Sequence, residues 1–378
     1  MRKSLHFLMA PLCLAFALFP VLLHAQNSYT VSNVPGSNAN FKTLQGAHDS
    51  VVAGSTLYVL PSSNTYGNAI FTKKLTVYGT GYYLGANLAP NTQANTGAVI
   101  VNSITFRAGS DNSYIEGLQL TDISTSTSSL QRLSMDTVSN IIVSRCYFTP
   151  PNAYYNYYFY FSNTSNIIVK QCYFDCQARA LSSVVNMNSV TVGFSGVQFN
   201  NSIFDFIGEG INGFSMMTGL ANGVTANATC TNNTILSCTL NSGFGNFNYT
   251  NNIFVNTTVG GSYGPTYALT GGTNLYNIAT VQQLFPATGN NMLGANTDSM
   301  FVGSQSGYHS TDQKWMLRDN NFATTFGQGG IPAGAYGGSN PYKLSGIPAI
   351  PYVYSLNVPS QATSPGTIGI HIKARATN

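Results

Sequence analysis

SNIIVSRCYF, residues 139–148, returns as SNIIVKQCYF, residues 165–174, 26 positions later. The two letters that differ are adjacent, Ser144/Lys170 and Arg145/Gln171. A phrase of β-branched residues and Asn repeated at this period marks a solenoid in which each copy forms one coil stacked on the last. Strand alternation then sets a register: with Cys146 and Phe148 facing the interior, Tyr147 faces outward, and Tyr173 does the same on the next coil. Cys146 and Cys172 become equivalent core slots about 4.8 Å apart, the spacing of neighbouring strands. That exceeds the Cβ separation of a relaxed disulfide, so a buried thiol stack is expected.

Looser copies extend the pattern in both directions. NSYIEGLQL (residues 112–120) precedes the doubled phrase, and NNSIF (200–204), NNTIL (232–236) and NNIF (251–254) follow it. Aligning bend with bend places Leu118, Cys146, Cys172, Asn201, Asn233 and Asn252 in one column, with uneven steps that fit a regular core carrying loops of variable length. Asn suits such a bend because stacked amides bond along the axis and satisfy turn backbone. Near the beginning, Phe41, Leu44, Ala47 and Val51 recur at helical spacing, with Thr43 as N-cap and Gly54 as stop. Strands at residues 56–60, stopped by Pro61, and at residues 75–78 follow.

A short amphipathic helix, then Gly-Ser-Thr-Leu-Tyr-Val (residues 54–59), then Leu-Thr-Val-Tyr-Gly-Thr-Gly (75–81), resembles the opening of right-handed parallel β-helix proteins of the pectin lyase-like type. The resemblance implies an all-β solenoid whose open end is plugged by the helix at residues 41–53, and it extends over most of residues 38–340. Residues 314–338 resemble the last coil of secreted bacterial β-helix proteins. The expected organisation is a signal peptide at residues 1–25, a β-helix with its cap at 26–312, and a segment at 313–378 that closes the far end or runs along the solenoid.

The first of these parts is read from Arg2 and Lys3, an apolar run at residues 7–23 broken by Pro11 and Pro20, and Ala25 at the cleavage edge. Export to the extracellular space, cell surface or periplasm is therefore expected, with no membrane span after processing. Charged residues are only 7% of the chain and its formal charge is +4, without a basic run, so nucleic acid and anionic membranes are excluded as expected partners. A surface of Gly, Asn, Ser, Thr and Tyr suits a polysaccharide or cell-surface glycan. Five cysteines lie beyond residue 25, and Cys172 with Cys176 and Cys230 with Cys238 are the local pairs open to oxidation. Three histidines beyond residue 25, His48, His309 and His371, offer no zinc spacing, and no resident metal or cofactor is expected.

Two constellations are candidates for a site. Asp175, Arg179, Asp205 and Glu209 fall at one edge of neighbouring coils, where acids and a cation could bind calcium or serve acid–base chemistry. Family enzymes acting on acidic polysaccharides use such clusters, yet none of their dense Asp motifs is present here. The second is aromatic: AYYNYYFYF (residues 153–161) puts Tyr158 and Tyr160 on one strand face, to join Tyr147 and Tyr173 as stacking platforms for sugar rings. The scarcity of carboxylates favours a non-catalytic, glycan-binding or adhesive solenoid with a Tyr/Asn-rich lateral face. The alternatives are a polysaccharide lyase or glycoside hydrolase using the carboxylate/Arg cluster, and a purely structural extracellular solenoid.

Overall fold

The computed structural model describes residues 27–121, 131–149, 157–175, 183–186, 194–206, 215–218, 226–237, 239–241, 246–256, 258–260, 272–276, 290–292, 294–296, 299–304, 312–359 and 366–376. The signal-peptide expectation, and Cys176 and Cys238, lie outside them.

Among the described residues three parallel sheets of ten, eight and eight strands run the length of the molecule, and each successive coil adds a strand to each. The doubled phrase shows why. Ile142–Ser144 pairs with Ile168–Lys170 in the first sheet, and Tyr147–Phe148 pairs with Tyr173–Asp175 in the second. Alternate residues turn inward, so Val143, Cys146 and Phe148 join Val169, Cys172 and Phe174 in one continuous core. Phe148, Phe174 and Phe204 stack in file with centroids 4.5 Å apart at both steps. The fold is a parallel β-helix, as the repeat requires.

The corner between the first and second sheets is one residue in the left-handed region, followed by one buried side chain. Gly117, Arg145, Gln171, Asn201, Asn232, Asn251, Thr273 and Asn290 all have φ between 49° and 70°. Seven of these eight carry a Cβ that disfavours this conformation. The next residue in each coil points into the core and holds the corner together. Cys172 N–H donates to Ser202 Oγ (3.1 Å), Ser202 N–H to Asn233 Oδ1 (2.9 Å), Asn233 N–H to Asn252 Oδ1 (2.8 Å), and Asn252 N–H to Asn274 Oδ1 (2.9 Å). The amide NH₂ groups of Asn233 and Asn252 reach the carbonyls of Phe199 and Cys230, 2.8 Å away in each case.

This moves one member of the aligned column: Ser202, not Asn201, stacks with Cys172 and Asn233. The Asn201 backbone is the left-handed residue before it, and its side chain points outward to the Ala335 and Gly337 carbonyls. Cys146 and Cys172 are fully buried free thiols, and Cys230 is fully buried as well. Burial holds the Cys172 thiol well above the usual range, which suppresses thiolate chemistry.

The N-terminal plug is the helix Leu44–Ser50, whose Thr43 hydroxyl accepts from Gly46 N–H. Leu44, Ala47 and Val51 enter the core. His48 is fixed as the Nδ1–H tautomer: Thr72 N–H donates to Nε2 (3.0 Å), and Nδ1 faces Asp49 at 2.8 Å.

The C-terminal segment is no coil. From residue 312 it forms short 3-10 turns and extended stretches that lie along the outside of the solenoid, running back toward its beginning. Gly334 N–H donates to Asn251 O, the Gln171 amide to Pro341 O, Arg145 to Ile347 O and the Tyr352 hydroxyl to Pro90 O. The strap thus touches progressively earlier coils. It is pinned by a buried ion pair, Arg145 Nε with Glu116 Oε1 at 3.3 Å. Such a pair contributes little net stability but is costly to break from one side.

Asn252→Ala removes the amide that serves the Asn233 N–H and the Cys230 carbonyl. We expect a loss of about 3 kcal/mol, because buried groups lose partners that water cannot replace. Asn248→Ala, on the exposed face, should stay within about 0.5 kcal/mol. Urea denaturation of both variants measures the contrast.

Candidate functional site

The outer face of the second sheet is where the expected site residues meet. Phe174 and Phe204 point inward, so alternation turns Tyr173, Asp175 and Asp205 outward. Asp175 and Asp205 are register partners on adjacent coils, as the sequence Phe-Asp at both places allows. Each accepts from a tyrosine one coil earlier: Tyr147 Oη donates to Asp175 Oδ2 (2.8 Å) and Tyr173 Oη to Asp205 Oδ2 (2.6 Å). The same diagonal is made twice because the coil repeats. Arg179 and Glu209 lie outside the described residues, so two of the four cluster members are placed.

These groups do not face solvent. Asp205 is fully buried, and Asp175 and Tyr147 are only 8% exposed. Tyr83, Trp315 and the strap cover them. Tyr83 packs on Tyr147 and Tyr173, with centroids 4.9 and 5.7 Å away. Trp315 Nε1 donates to Asp205 Oδ2 (3.1 Å), and Lys314 Nζ lies 3.0 Å from the same oxygen while its head lies 4.8 Å from the indole centroid. Burial first, and then the neighbouring carboxylates, push the Tyr147 and Tyr173 phenols well up, so they stay protonated donors.

The expected exposed row of four tyrosines is therefore corrected in its particulars. Tyr147 and Tyr173 do leave the solenoid interior, but they form a second core beneath the strap. Tyr158 turns into the sheet corner instead of outward: its ring meets Phe148 and Phe174, its hydroxyl donates to the Asp175 carbonyl (2.6 Å), and the buried Arg132 guanidinium lies 5.9 Å from its centroid. An aromatic ring at a corner gains more by filling the core than by facing water. Tyr160 alone remains half-exposed, in register with Ser134.

Tyr58, Tyr78 and Tyr114 form a different row, on the outer face of the first sheet. They stand on three successive strands with centroids 5.7 and 5.8 Å apart, and all three are partly exposed. The face continues through Ile142 and Ser144, then Ile168 and Lys170, and over later coils as Gln198, Thr229 and Asn248, beside Asn200, Thr231 and Thr250. One tyrosine in each of the strands TLYV, TVY and YIE, placed out of phase with Leu57, Val77 and Ile115, was the sequence signal for this row. Among the described residues no three His, Cys, Asp or Glu side chains group as a metal site.

No family model matches the chain, and no curated protein matches it. Among solved structures it is similar to a rhamnogalacturonan lyase, at 14% identity and TM-score 0.44, over 78% of this chain and 96% of that one. It is also similar to the pectate lyase Pel9A, at 14% identity and TM-score 0.45, over 84% of this chain and 96% of that one.

A second buried acid anchors the strap. Asp312 accepts from Asn87 Nδ2 (3.0 Å), Ser345 N–H (2.7 Å) and the Tyr342 hydroxyl (3.2 Å). Burial raises its pKa despite these donors. A folded-state pKa above the unfolded value favours the protonated form, so this contribution is whole below the unfolded pKa and fades as pH rises through the folded one. Asp312→Asn should therefore gain stability relative to the parent as pH rises, measured by urea midpoints across that range. Asp205→Ala should cost about 2–3 kcal/mol, mainly through the stranded Tyr173 and Trp315 donors, because Lys314 is 30% exposed and can rehydrate. Hydrogen exchange on this variant should show the loss first in the strap around Trp315.

Proposed function

We propose that the chain is an exported, non-catalytic β-helix that binds neutral polysaccharide, in solution or at a cell surface, along the outer face of its first sheet. The observation that carries this is the Tyr58–Tyr78–Tyr114 row, partly exposed on three successive strands and continued by uncharged Gln, Thr and Asn side chains. Ring faces pack against the apolar faces of sugars, and phenol, amide and hydroxyl groups exchange hydrogen bonds with sugar hydroxyls. The repeat of the solenoid presents these groups at regular intervals, which suits a polymer. Besides Lys170 and the buried Glu116, which pairs with Arg145, the outward side chains of these strands are uncharged, which favours a neutral ligand over an acidic one.

Carbohydrate cleavage through Asp175 and Asp205 is the weaker reading. A lyase base or a hydrolase acid must reach its substrate within hydrogen-bond distance. Here each carboxylate already accepts from a phenol, and the strap covers both.

Affinity electrophoresis in gels carrying neutral polysaccharides tests the proposal, with product analysis of the same mixtures. The parent should be retarded without releasing fragments. Tyr78→Ala with Tyr114→Ala should weaken retardation about tenfold, the scale of one lost aromatic contact. Asn68→Ala, on the third sheet, should not. Retardation unchanged in the double variant would remove the first sheet as the binding face, and released fragments would remove the non-catalytic reading.

A further inference from the structure

After the strap the chain forms a two-stranded antiparallel ribbon, Tyr352–Asn357 with His371–Arg375. It is tethered at one end: Tyr352 packs with Leu84 and Ile347, and the Val353 carbonyl accepts from Ala94 N–H (2.8 Å). Cross-strand register puts Leu356 beside Ile372 and Val353 beside Ala374 on one face, and Asn357 beside His371 and Ser355 beside Lys373 on the other. Ile368 and Ile370 immediately precede the strand His371–Arg375.

That face is bare. Ile368, Ile370 and Ile372 are 56%, 55% and 61% exposed, Leu356 is 53% and Val358 is 51%. Two strands are too few to be stable in water alone, and an exposed apolar strand is a template for another. The inner strand already uses an edge carbonyl on the body, whereas among the described residues no third strand pairs with His371–Arg375. The unoccupied edge therefore combines an isoleucine face with a face carrying His371, Lys373 and Arg375.

We propose that this edge binds an extended acidic segment of another protein by strand addition. The incoming strand would continue the isoleucine face with apolar residues at alternate positions, and meet Lys373 and Arg375 with Asp or Glu on the other side. Charge selects this occupant over a second copy of the chain. Antiparallel self-pairing centred on Lys373 would set cation against cation, which destabilises directly opposed strands.

The probe is a fluorescein-labelled peptide of alternating Glu and Val, compared with an alternating Lys and Val peptide and with a Glu/Val peptide carrying central prolines. Fluorescence anisotropy is read with the full chain, and light scattering reports its oligomeric state. The Glu/Val peptide alone should bind, with affinity falling as salt is raised. Lys373→Glu with Arg375→Glu should lose at least tenfold for it and gain for the Lys/Val peptide. Ile370→Ser with Ile372→Ser should weaken binding of the Glu/Val peptide. All four positions are exposed, and circular dichroism confirms that the variants keep the solenoid. Three outcomes overturn the proposal: no binding of the Glu/Val peptide, equal binding of the proline peptide, or a dimer in light scattering that Ile372→Ser dissociates.

Discussion

In the described coils from Gly117 onward, the chain turns from the first sheet into the second through one left-handed residue and one buried residue, and that turn strands a backbone N–H in the core. The rest of the molecule depends on how this N–H is satisfied. From Ser202 onward the solution is a side-chain oxygen from the next coil, an Asn in four consecutive cases. The arrangement is cooperative along the axis, since each amide serves the coil before it and is served by the one after. It also forces a left-handed residue immediately before each ladder position. In the doubled phrase cysteines occupy the slot: Cys146 N–H makes a weak contact with the Cys172 sulfur at 3.5 Å, and Cys172 N–H donates to Ser202 Oγ at 3.1 Å.

The left-handed residues have a second role. Their side chains leave the corner pointing outward, and the strap is tied to them. Arg145, Gln171 and Asn201 each donate to strap carbonyls. One irregular segment is thereby held to a regular scaffold at intervals of one coil. The strap in turn converts an outer sheet face into an interior. It covers Tyr147, Tyr173, Asp175 and Asp205, whose polar atoms survive burial because each acid has a phenol within hydrogen-bond reach. Asp205 in particular ties scaffold to strap, through Trp315 and Lys314.

Much of the scaffold was legible in the residues themselves. The helix cap, the strand beginning at Thr56, and the outward turn of Tyr147 follow from local spacing that the fold merely repeats. The one-residue error at Asn201 arose because two asparagines stand side by side in NNSIF, and matching letter to letter favoured Asn over Ser. Matching Phe174-Asp175 to Phe204-Asp205 instead would have fixed the column. The site was less legible. Tyr158 reads as outward by alternation, but a sheet corner breaks alternation. The tyrosine row on the first sheet was visible in three separate strands, yet it is a row only once the strands are stacked.

The amino-acid sequence by itself determined the coil, its interior and exterior positions, and the end plug, because these depend on neighbours a few residues away and on a repeat that recurs every coil. Only the tertiary structure decided what covers the exterior. Tyr82 meets Tyr342, Arg145 meets Ile347 and Asp205 meets Trp315 across 260, 202 and 110 residues. No periodicity links such pairs. Their meeting depends on the path of an aperiodic strap, and that path is set by which outward side chains and backbone carbonyls can satisfy one another once the solenoid has formed.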